Sequence, residues 1–423
     1  MLILVAALVG CGYNIHEFVD LYFKYPITVN LQVQQRKSVD FPAVTICNLN
    51  RIKLKYKDCV VDPSNSRMCP NTGESRIGFH MSELHAFRIC SKQFREQQKQ
   101  DDAVIQFLKK YSELEVGYRK HFSYSSKELI LNCSFNGKSC NRYPFKKTAN
   151  IRYGNCFIFN KFSMSSKGAA LVASTGSSNG LELILNAEAD TYLPISHTLG
   201  MRVVIHHPSE GPNPEEDGMN IVPGYETHIS LQQTEILRLP APYKDKCIAY
   251  EEKKSQKECM VTCLQRHNYA KCGCLDPLFK GMNGIALCNL TNSTQVCCLH
   301  HVTHQLNNNI GKDCECSDPC ISSNYKVIKS ISFWPSKASF SQTYEKFNHE
   351  SLDKYRKSHA KVHIFFPSLE KTVYQQKPFF LESEIYSNLG GELGLWLGLS
   401  LIALFEIVEM MLFYANRIIC NHT

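Results

Sequence analysis

The sequence predicts an α+β membrane protein in which two transmembrane helices flank a large disulfide-rich ectodomain. Three observations carry this. Apolar stretches sit near both ends of the 423 residues: MLILVAALVGCGYNIHEFVDLYF at the start, and Leu389 to Phe413 near the finish. A spanning helix needs about 20 mostly apolar residues, and both stretches supply that. Cys11 and Cys420 lie in or beside them, so 18 of the 20 cysteines fall between. An even, dense set implies disulfides in an oxidising compartment. The intervening chain mixes alternating and helical runs, with strands contributed from distant segments.

The expected organisation is a first transmembrane helix over 1–24, an extracellular domain over 25–380, a second helix with its lead-in over 381–416, and the start of a cytoplasmic tail over 417–423. A signal peptide is the rival reading of the first segment. No Lys or Arg precedes the apolar run and no small-residue cleavage site follows it, so a true helix preceded by cytoplasmic residues is expected. Sequons at Asn132, Asn289 and Asn292 agree with an extracellular location as glycosylation sites. A net charge of +8 is modest and scattered, with no basic-aromatic strip for nucleic acid.

After the first helix, YPITVNLQVQ and VDFPAVTICNL alternate and read as strands. Helices are expected over Ser82–Arg95 and Asp101–Leu114, which carry acidic residues in their first turns. GNCFIFN, LELILNA, MRVVIHH and THISLQQTEILRL then read as strands, separated by turn-rich loops. Cysteine is densest from Cys247 to Cys320. SNYKVIKSISFW and KVHIFFPSLEKTVYQQ read as long strands leading to the last helix.

The dense block offers two chemistries. Its Cys-x-Cys pairs, with His300, His301 and His304 nearby, are possible zinc ligands. In an oxidising compartment stacked disulfides are favoured instead, forming a rod that joins two helices. No metal site and no cofactor are expected. No nucleophile elbow, metal-binding helix or phosphate loop points to an enzyme.

FPAVTICNLN (Phe41–Asn50), the spacing CMVTC…KCGC…CECSDPC, WPSKASF (Trp334–Phe340), KFN (Lys346–Asn348) and SNLGGELGLWLGLS together resemble the epithelial sodium channel/degenerin/acid-sensing ion channel superfamily. The resemblance implies a trimer of hand-shaped subunits with finger (51–147), thumb (247–320), palm, knuckle and β-ball. It implies a plasma-membrane, amiloride-sensitive sodium channel with both termini cytoplasmic. Family pairing implies disulfides Cys47–Cys156, Cys133–Cys140, Cys247–Cys320, Cys259–Cys316, Cys263–Cys314 and Cys274–Cys288. Cys272 takes Cys297 or Cys298; the expected set is Cys272–Cys297 with Cys59–Cys69 and Cys90–Cys298. The family's cytoplasmic His-Gly element is absent from these residues.

The second apolar segment carries four glycines, Ser400, Glu392, Glu406 and Glu409, which a simple anchor does not need. Gly390, Gly394 and Gly398 recur every four residues and form one small-residue face that lets helices approach closely. Glycine also permits a helix break that turns carbonyls toward an ion. Gly398, Leu399 and Ser400 match the family's filter element. Gly391, Gly398 and Glu409 fall near one strip of a continuous helix, so rings of Glu406, Glu409 or Glu392 would attract cations, with Glu382 and Glu384 collecting them outside. Ser387, Asn388 and Gly391 match the gate and amiloride region. Packing and headgroup snorkelling are the bland alternatives.

The family's branches differ in what opens them. Acid-sensing members carry His-His after the first helix, where this chain has Pro26 and Ile27. The thumb stretch CCLHHVTHQLNNNIGKDC lacks a carboxylate before Asp313, so crowded carboxylates titrating upward are missing. No multibasic Arg-x-x-Arg site marks protease activation. An FMRFamide-like amidated neuropeptide remains by elimination. Such a ligand needs aromatic rings and carboxylates, as offered by Phe79, Phe87, Phe94, Asp101, Asp102, Phe107 and Tyr111, though aromatics there also serve to pack helices. A constitutive or proton-modulated sodium channel of the same superfamily is the nearer alternative; a cell-surface receptor without conduction is the distant one.

Overall fold

The computed structural model describes residues 2–61, 107, 110, 111, 114, 116–150, 152–161, 170–250, 255–276, 279, 285–288, 292–343, 351–398 and 400–421. Its centre is two sheets packed face to face. The larger has eight strands: β1 (Ile27–Gln35), β4 (Ile130–Phe135), β5 (Lys138–Ser139), β9 (Leu181–Asn186), β12 (Tyr225–Leu237), β13 (Ile321–Phe333), β14 (His359–Phe365) and β15 (Glu370–Pro378). Their order is β1-β15-β12-β14-β9-β4-β5, with β13 on β12. The smaller sheet orders β11 (Gly218–Ile221), β10 (Met201–His206), β3 (Ala43–Asn48), β7 (Gly154–Phe159) and β6 (Lys146–Asn150). A short pair, β2 (Val39–Asp40) and β8 (Leu171–Val172), completes the set.

Period-two alternation explains the packing. Leu181, Leu183 and Leu185 of β9, Ile229 and Leu231 of β12, and Val362 and Ile364 of β14 point inward. They meet Val44 and Ile46 of β3, Phe157 and Phe159 of β7, and Val203 of β10. β3 and β7 are buried along both faces, which suits their unbroken apolar character. The intervening positions of β12 and β14, including Glu226, His228, Lys361 and His363, occupy the opposite face of the large sheet. β12 forks: its first half pairs with β14 from Glu226 to Ser230, and its second half pairs with β15 from Gln233 to Leu237.

Outside the sheets, α2 (Gln256–Cys272) and α3 (Ser293–Asp313) form the disulfide-bound rod, while α1 (Leu2–Phe23) precedes β1. Ser255 caps α2 by accepting the Glu258 N–H, and Gly273 ends it in the left-handed region at φ 72°. Bonds Cys247–Cys320, Cys259–Cys316, Cys263–Cys314 and Cys274–Cys288 run along the rod, and Cys47–Cys156 and Cys133–Cys140 lie in the sheets. Cys272 pairs with Cys298, which corrects both the expected Cys272–Cys297 and the expected Cys90–Cys298. The reason is helical phase. Cys298, Val302 and Leu306 follow at four-residue spacing, and Val302 and Leu306 pack against Cys263, Leu264 and Cys272 of α2. Cys297 points about 100° away, and it and Cys59 are also disulfide-bonded. Cys69 and Cys90 lie outside the described residues.

Candidate functional site

The chain's two ends meet through the large sheet. β1 follows α1 directly and pairs antiparallel with β15 from Ile27↔Pro378 to Gln35↔Glu370. β15 leads into α4 (Glu382–Leu397), and the Phe379 N–H donates to the Pro26 carbonyl at 2.9 Å. The strand pair therefore sets α1 beside α4. Phe18 meets Phe380 edge-on at 5.3 Å between ring centroids. A Cβ on Gly10 would sit 2.8 Å from the Trp396 ring, so this crossing requires glycine.

Glu392 is the polar knot of this seam. Its Oε2 accepts from Asn14 Nδ2 at 3.0 Å and from Trp396 Nε1 at 3.1 Å. The first of these bonds clamps α1 to α4, and the second lies within α4. Glu384 is likewise committed, accepting the Leu381 N–H at the start of α4 at 2.9 Å. Ser387, Asn388 and Gly391 are exposed on α4, with open space around Gly391.

The helix then breaks. Gly398 adopts φ 65° and caps α4, its N–H donating to the Gly394 carbonyl. Ser400 opens α5 (Leu401–Asn421) by accepting the Ala403 N–H on its hydroxyl at 3.2 Å. Gly398 and Ser400 are thus a C-cap and an N-cap one residue apart; Leu399 between them lies outside the described residues. A helix end leaves its last carbonyls without intrahelical partners, so the break supplies free carbonyls and a hydroxyl at one level. Nothing lies within 4 Å of a Cβ built on Gly398.

The break corrects two expectations. Gly398 ends the small-residue face of Gly390 and Gly394 instead of continuing it. Glu409 no longer shares a strip with Gly391 and Gly398, because a left-handed residue resets the helical phase; Glu406 and Glu409 are both exposed on α5. Among the described residues no helix is long and apolar enough to cross a membrane, which differs from the two continuous spans expected. α1 carries Asn14, His16, Glu17 and Asp20 in its second half, α4 has 16 residues, and α5 carries Glu406 and Glu409. Yet Leu2, Ile3, Leu8 and Val9 of α1 and Ile402, Phe405, Met411, Leu412 and Phe413 of α5 are all exposed.

The family model described as ASC, amiloride-sensitive sodium channel, matches residues 1–410. The chain belongs to that family. Degenerin mec-10 of Caenorhabditis elegans is 31% identical over 317 residues, 71% of this chain and 43% of the relative. Degenerin-like protein unc-105 of the same species is 30% identical over 316 residues, covering 70% and 35%. Acid-sensing ion channel 2 of Danio rerio is 27% identical over 430 residues, covering 96% and 76%. The chain spans less than half the length of these degenerin relatives. The solved structure of a proton-activated chloride channel overlaps at a TM-score of 0.34 with 5% identity, too little to carry an argument.

In this amiloride-sensitive sodium channel family member, the expected ligand residues divide. Phe79, Phe87, Phe94, Asp101 and Asp102 lie outside the described residues. Phe107 and Tyr111 are 6% and 1% exposed, their rings stacked with centroids 6.3 Å apart. Tyr111 lies under the Arg51 guanidinium at 5.7 Å. Both belong to a packed cluster with Ile52, Val60 and Phe122, so the expectation that they meet a ligand is corrected to a packing role. Asn132 and Asn292 are exposed, as glycan attachment requires.

One cluster had no signal in the sequence. Glu226, His228 and His363 converge on the outer face of the large sheet from strands 135 residues apart. Burial pushes the His363 imidazole down, with Lys361 adding to it; burial alone would raise Glu226, but Lys361 and His363 draw it below the usual carboxylate range.

Proposed function

We propose that the chain is a subunit of a sodium-selective, amiloride-sensitive cation channel, a homotrimer of the plasma membrane with its sheets outside, opened by an extracellular FMRFamide-like neuropeptide. The observation that carries the channel reading is the break at Gly398–Ser400. Three copies around an axis would offer rings of carbonyls and hydroxyls in place of hydration water. In this reading Gly398, Leu399 and Ser400 form the filter, and Gly390, Gly391 and Gly394 give the clearance above it. Glu406 and Glu409 hold cations below, while Ser387, Asn388 and Gly391 form the amiloride-binding mouth. The exposed apolar side chains of α1 and α5 support bilayer insertion, since surface of that kind needs covering. Val29, Leu31 and Val33 make a second exposed apolar row on β1, which supports self-association.

Peptide opening is supported by what the rod lacks, a carboxylate in α3 before Asp313. Modulation by protons is the second reading, favoured by the alignment with acid-sensing ion channel 2 across 96% of this chain.

The test is voltage clamp of oocytes expressing the full-length protein in sodium solution. Amidated peptides at constant neutral pH should evoke an inward current blocked by amiloride. Gly398→Ala adds a Cβ in a left-handed conformation, at a cost of about 1–2 kcal/mol, and favours rejoining α4 to α5. It should cut the current at least tenfold, or change its ion ratios, at unchanged surface expression. Wild-type current and selectivity in that variant would remove the filter assignment. An amiloride-sensitive current evoked only by acid would keep the channel and discard the peptide.

A further inference from the structure

The outer face of the large sheet carries a second set of chemistry-bearing side chains, far in the chain from the break. In the parallel pairing of β12 with β14, His228 lies directly opposite His363 and Glu226 opposite Lys361. The two imidazoles stack with centroids 4.7 Å apart and planes 18° apart. Glu226 Oε1 is 2.9 Å from His363 Nε2 and 3.8 Å from His228 Nε2. One ligand atom from each of the three residues falls within 4.8 Å of the others. From β9, paired with β14 on its other side, Glu182 brings Oε2 to 3.7 Å from His363 Nδ1.

Two details separate this set from an ordinary surface cluster. The His363 side chain is 9% exposed, and its Nδ1 is a buried polar atom with no hydrogen-bond partner. Buried polar atoms are paired in most proteins, so an orphan calls for an explanation. Nδ1 faces a carboxylate just beyond bonding distance. His228 and Glu226 are 31% and 23% exposed along their side chains, which leaves an entry path from solvent.

We infer that Glu226, His228 and His363 form a binding site for a zinc-like transition-metal ion on the outer face of the sheet. Two imidazoles and a carboxylate are a zinc donor set that leaves a fourth position for water. Zinc bonds of about 2.0–2.1 Å place neighbouring ligand atoms about 3.3 Å apart. The two Glu226 distances bracket that value, so a modest tilt of the stacked rings closes the site. With Nε2 of His363 on the metal, its proton moves to Nδ1, which then donates to Glu182. The orphan becomes satisfied in the carboxylate–histidine–metal arrangement that orients metal-bound imidazoles.

Lys361 is the built-in competitor. Its Nζ lies 3.3 Å from Glu226 Oε1 and 3.6 Å from Glu182 Oε1, so a metal must displace it. The site lies within the β12–β14 pairing, two to four residues before Ser230, after which β12 turns to β15 and β15 leads into α4. A bound ion would clasp β12 to β14 just above the point where the strands diverge.

The rod offers a superficially similar group, Cys263, His267 and Cys314. Both its sulfurs are spent in the Cys263–Cys314 disulfide, so it lacks thiolates to ligate.

Calorimetric titration of zinc chloride into the purified full-length protein with disulfides intact tests the assignment without reference to conduction. One zinc per chain is expected. His228→Gln and Glu226→Gln, at half-exposed positions that leave the fold intact, should each weaken binding at least tenfold. Lys361→Met should tighten it, a gain no misfolded variant would show. Cobalt bound in place of zinc should give the intense visible bands of a tetrahedral site, lost in His228→Gln. A joint His300→Ala, His301→Ala, His304→Ala variant should bind like wild type. Unchanged affinity in both His228→Gln and Glu226→Gln, or loss in the joint α3 variant, would overturn the site, as would absence of binding to wild type.

Discussion

The double sheet and the stapled rod solve the same problem in opposite ways. Between the sheets, Leu183, Ile46, Ile229 and Val362 are fully buried, and burial of such side chains contributes about 1.5–3 kcal/mol each. In the rod, α2 buries only Gln265 and Asn268. Gln265 is satisfied by a reciprocal pair with the Asp276 backbone, at 2.8 Å in each direction. The sheets are held chiefly by area removed from water; the rod adds covalent bonds along its length to the packing of Val296, Leu299, Val302 and Leu306 of α3. A region of the second kind transmits motion as a stiff lever, because its helices cannot slide past their disulfides.

The largest expected effect is reduction. Each rod disulfide contributes about 2–4 kcal/mol by restricting the unfolded chain, and the rod's own apolar burial rests on a few side chains of α3, Val296, Leu299, Val302 and Leu306. A thiol reductant should abolish amide-exchange protection across α2 and α3 while β3, β7 and β10 stay protected. Simultaneous loss of both regions would show that the rod and sheets form one cooperative unit.

Next in size is a cavity in the sheets. Leu183→Ala should cost about 2–5 kcal/mol in chemical denaturation. Leu306→Ala, 5% exposed in the rod, should fall at the low end, about 2 kcal/mol, since the bonds on either side hold the helices in place. Equal costs would dissolve the distinction between the two regions.

Acid should strike the sheet side. Burial pushes His206 down to about 4. Its ring accepts from or donates to Thr45 Oγ1 at 2.9 Å and meets the His207 carbonyl at 3.0 Å. Lys161 and Lys257 push further down and Asp217 pushes up. The unfolded histidine takes its proton near pH 6.5 and the folded one only near 4. The neutral form therefore contributes stability that is full above about pH 6.5 and is lost as pH falls through that window, about 3 kcal/mol in all. His206→Gln should flatten the stability curve between those values. An unchanged slope would mean that other groups carry the acid response.

Much of this was legible beforehand, for definable reasons. LELILNA alternates and became β9, while the β-branched, apolar runs MRVVIHH and KVHIFF became β10 and β14. GNCFIFN became β7, buried on both faces. Gly398 and Ser400 stood out because a lipid-facing helix needs neither. Strand order was not legible, because nothing local in β12 says that β14 and β15 flank it. The Glu226–His228–His363 cluster stayed hidden for the same reason: its parts become neighbours only through parallel register. Cys297 and Cys298 were indistinguishable by spacing, and only the apolar phase of Val302 and Leu306 separates them. Phe107 and Tyr111 looked like a ligand's partners because composition cannot tell an aromatic pocket from an aromatic core.

The smallest expected effect on stability bears most directly on the lever. Tyr243, in the loop between β12 and the rod, meets Tyr25 at the end of α1 edge-on, with centroids 5.7 Å apart. Cys247, four residues on, is bonded to Cys320 at the foot of the rod. This ring pair is therefore a contact through which the stiff region touches the end of α1, beside the Tyr22–Phe380 contact with the lead-in to α4. Tyr243→Ala removes an aromatic pair worth about 0.5–1.5 kcal/mol, so denaturation should barely shift. If the rod acts as a lever on the helices, ligand-evoked current should fall or need several-fold more ligand, and Tyr243→Phe, which keeps the ring, should restore it. A Tyr243→Ala channel with an unaltered ligand response would break the link between covalent stiffness and gating, leaving the rod a structural brace.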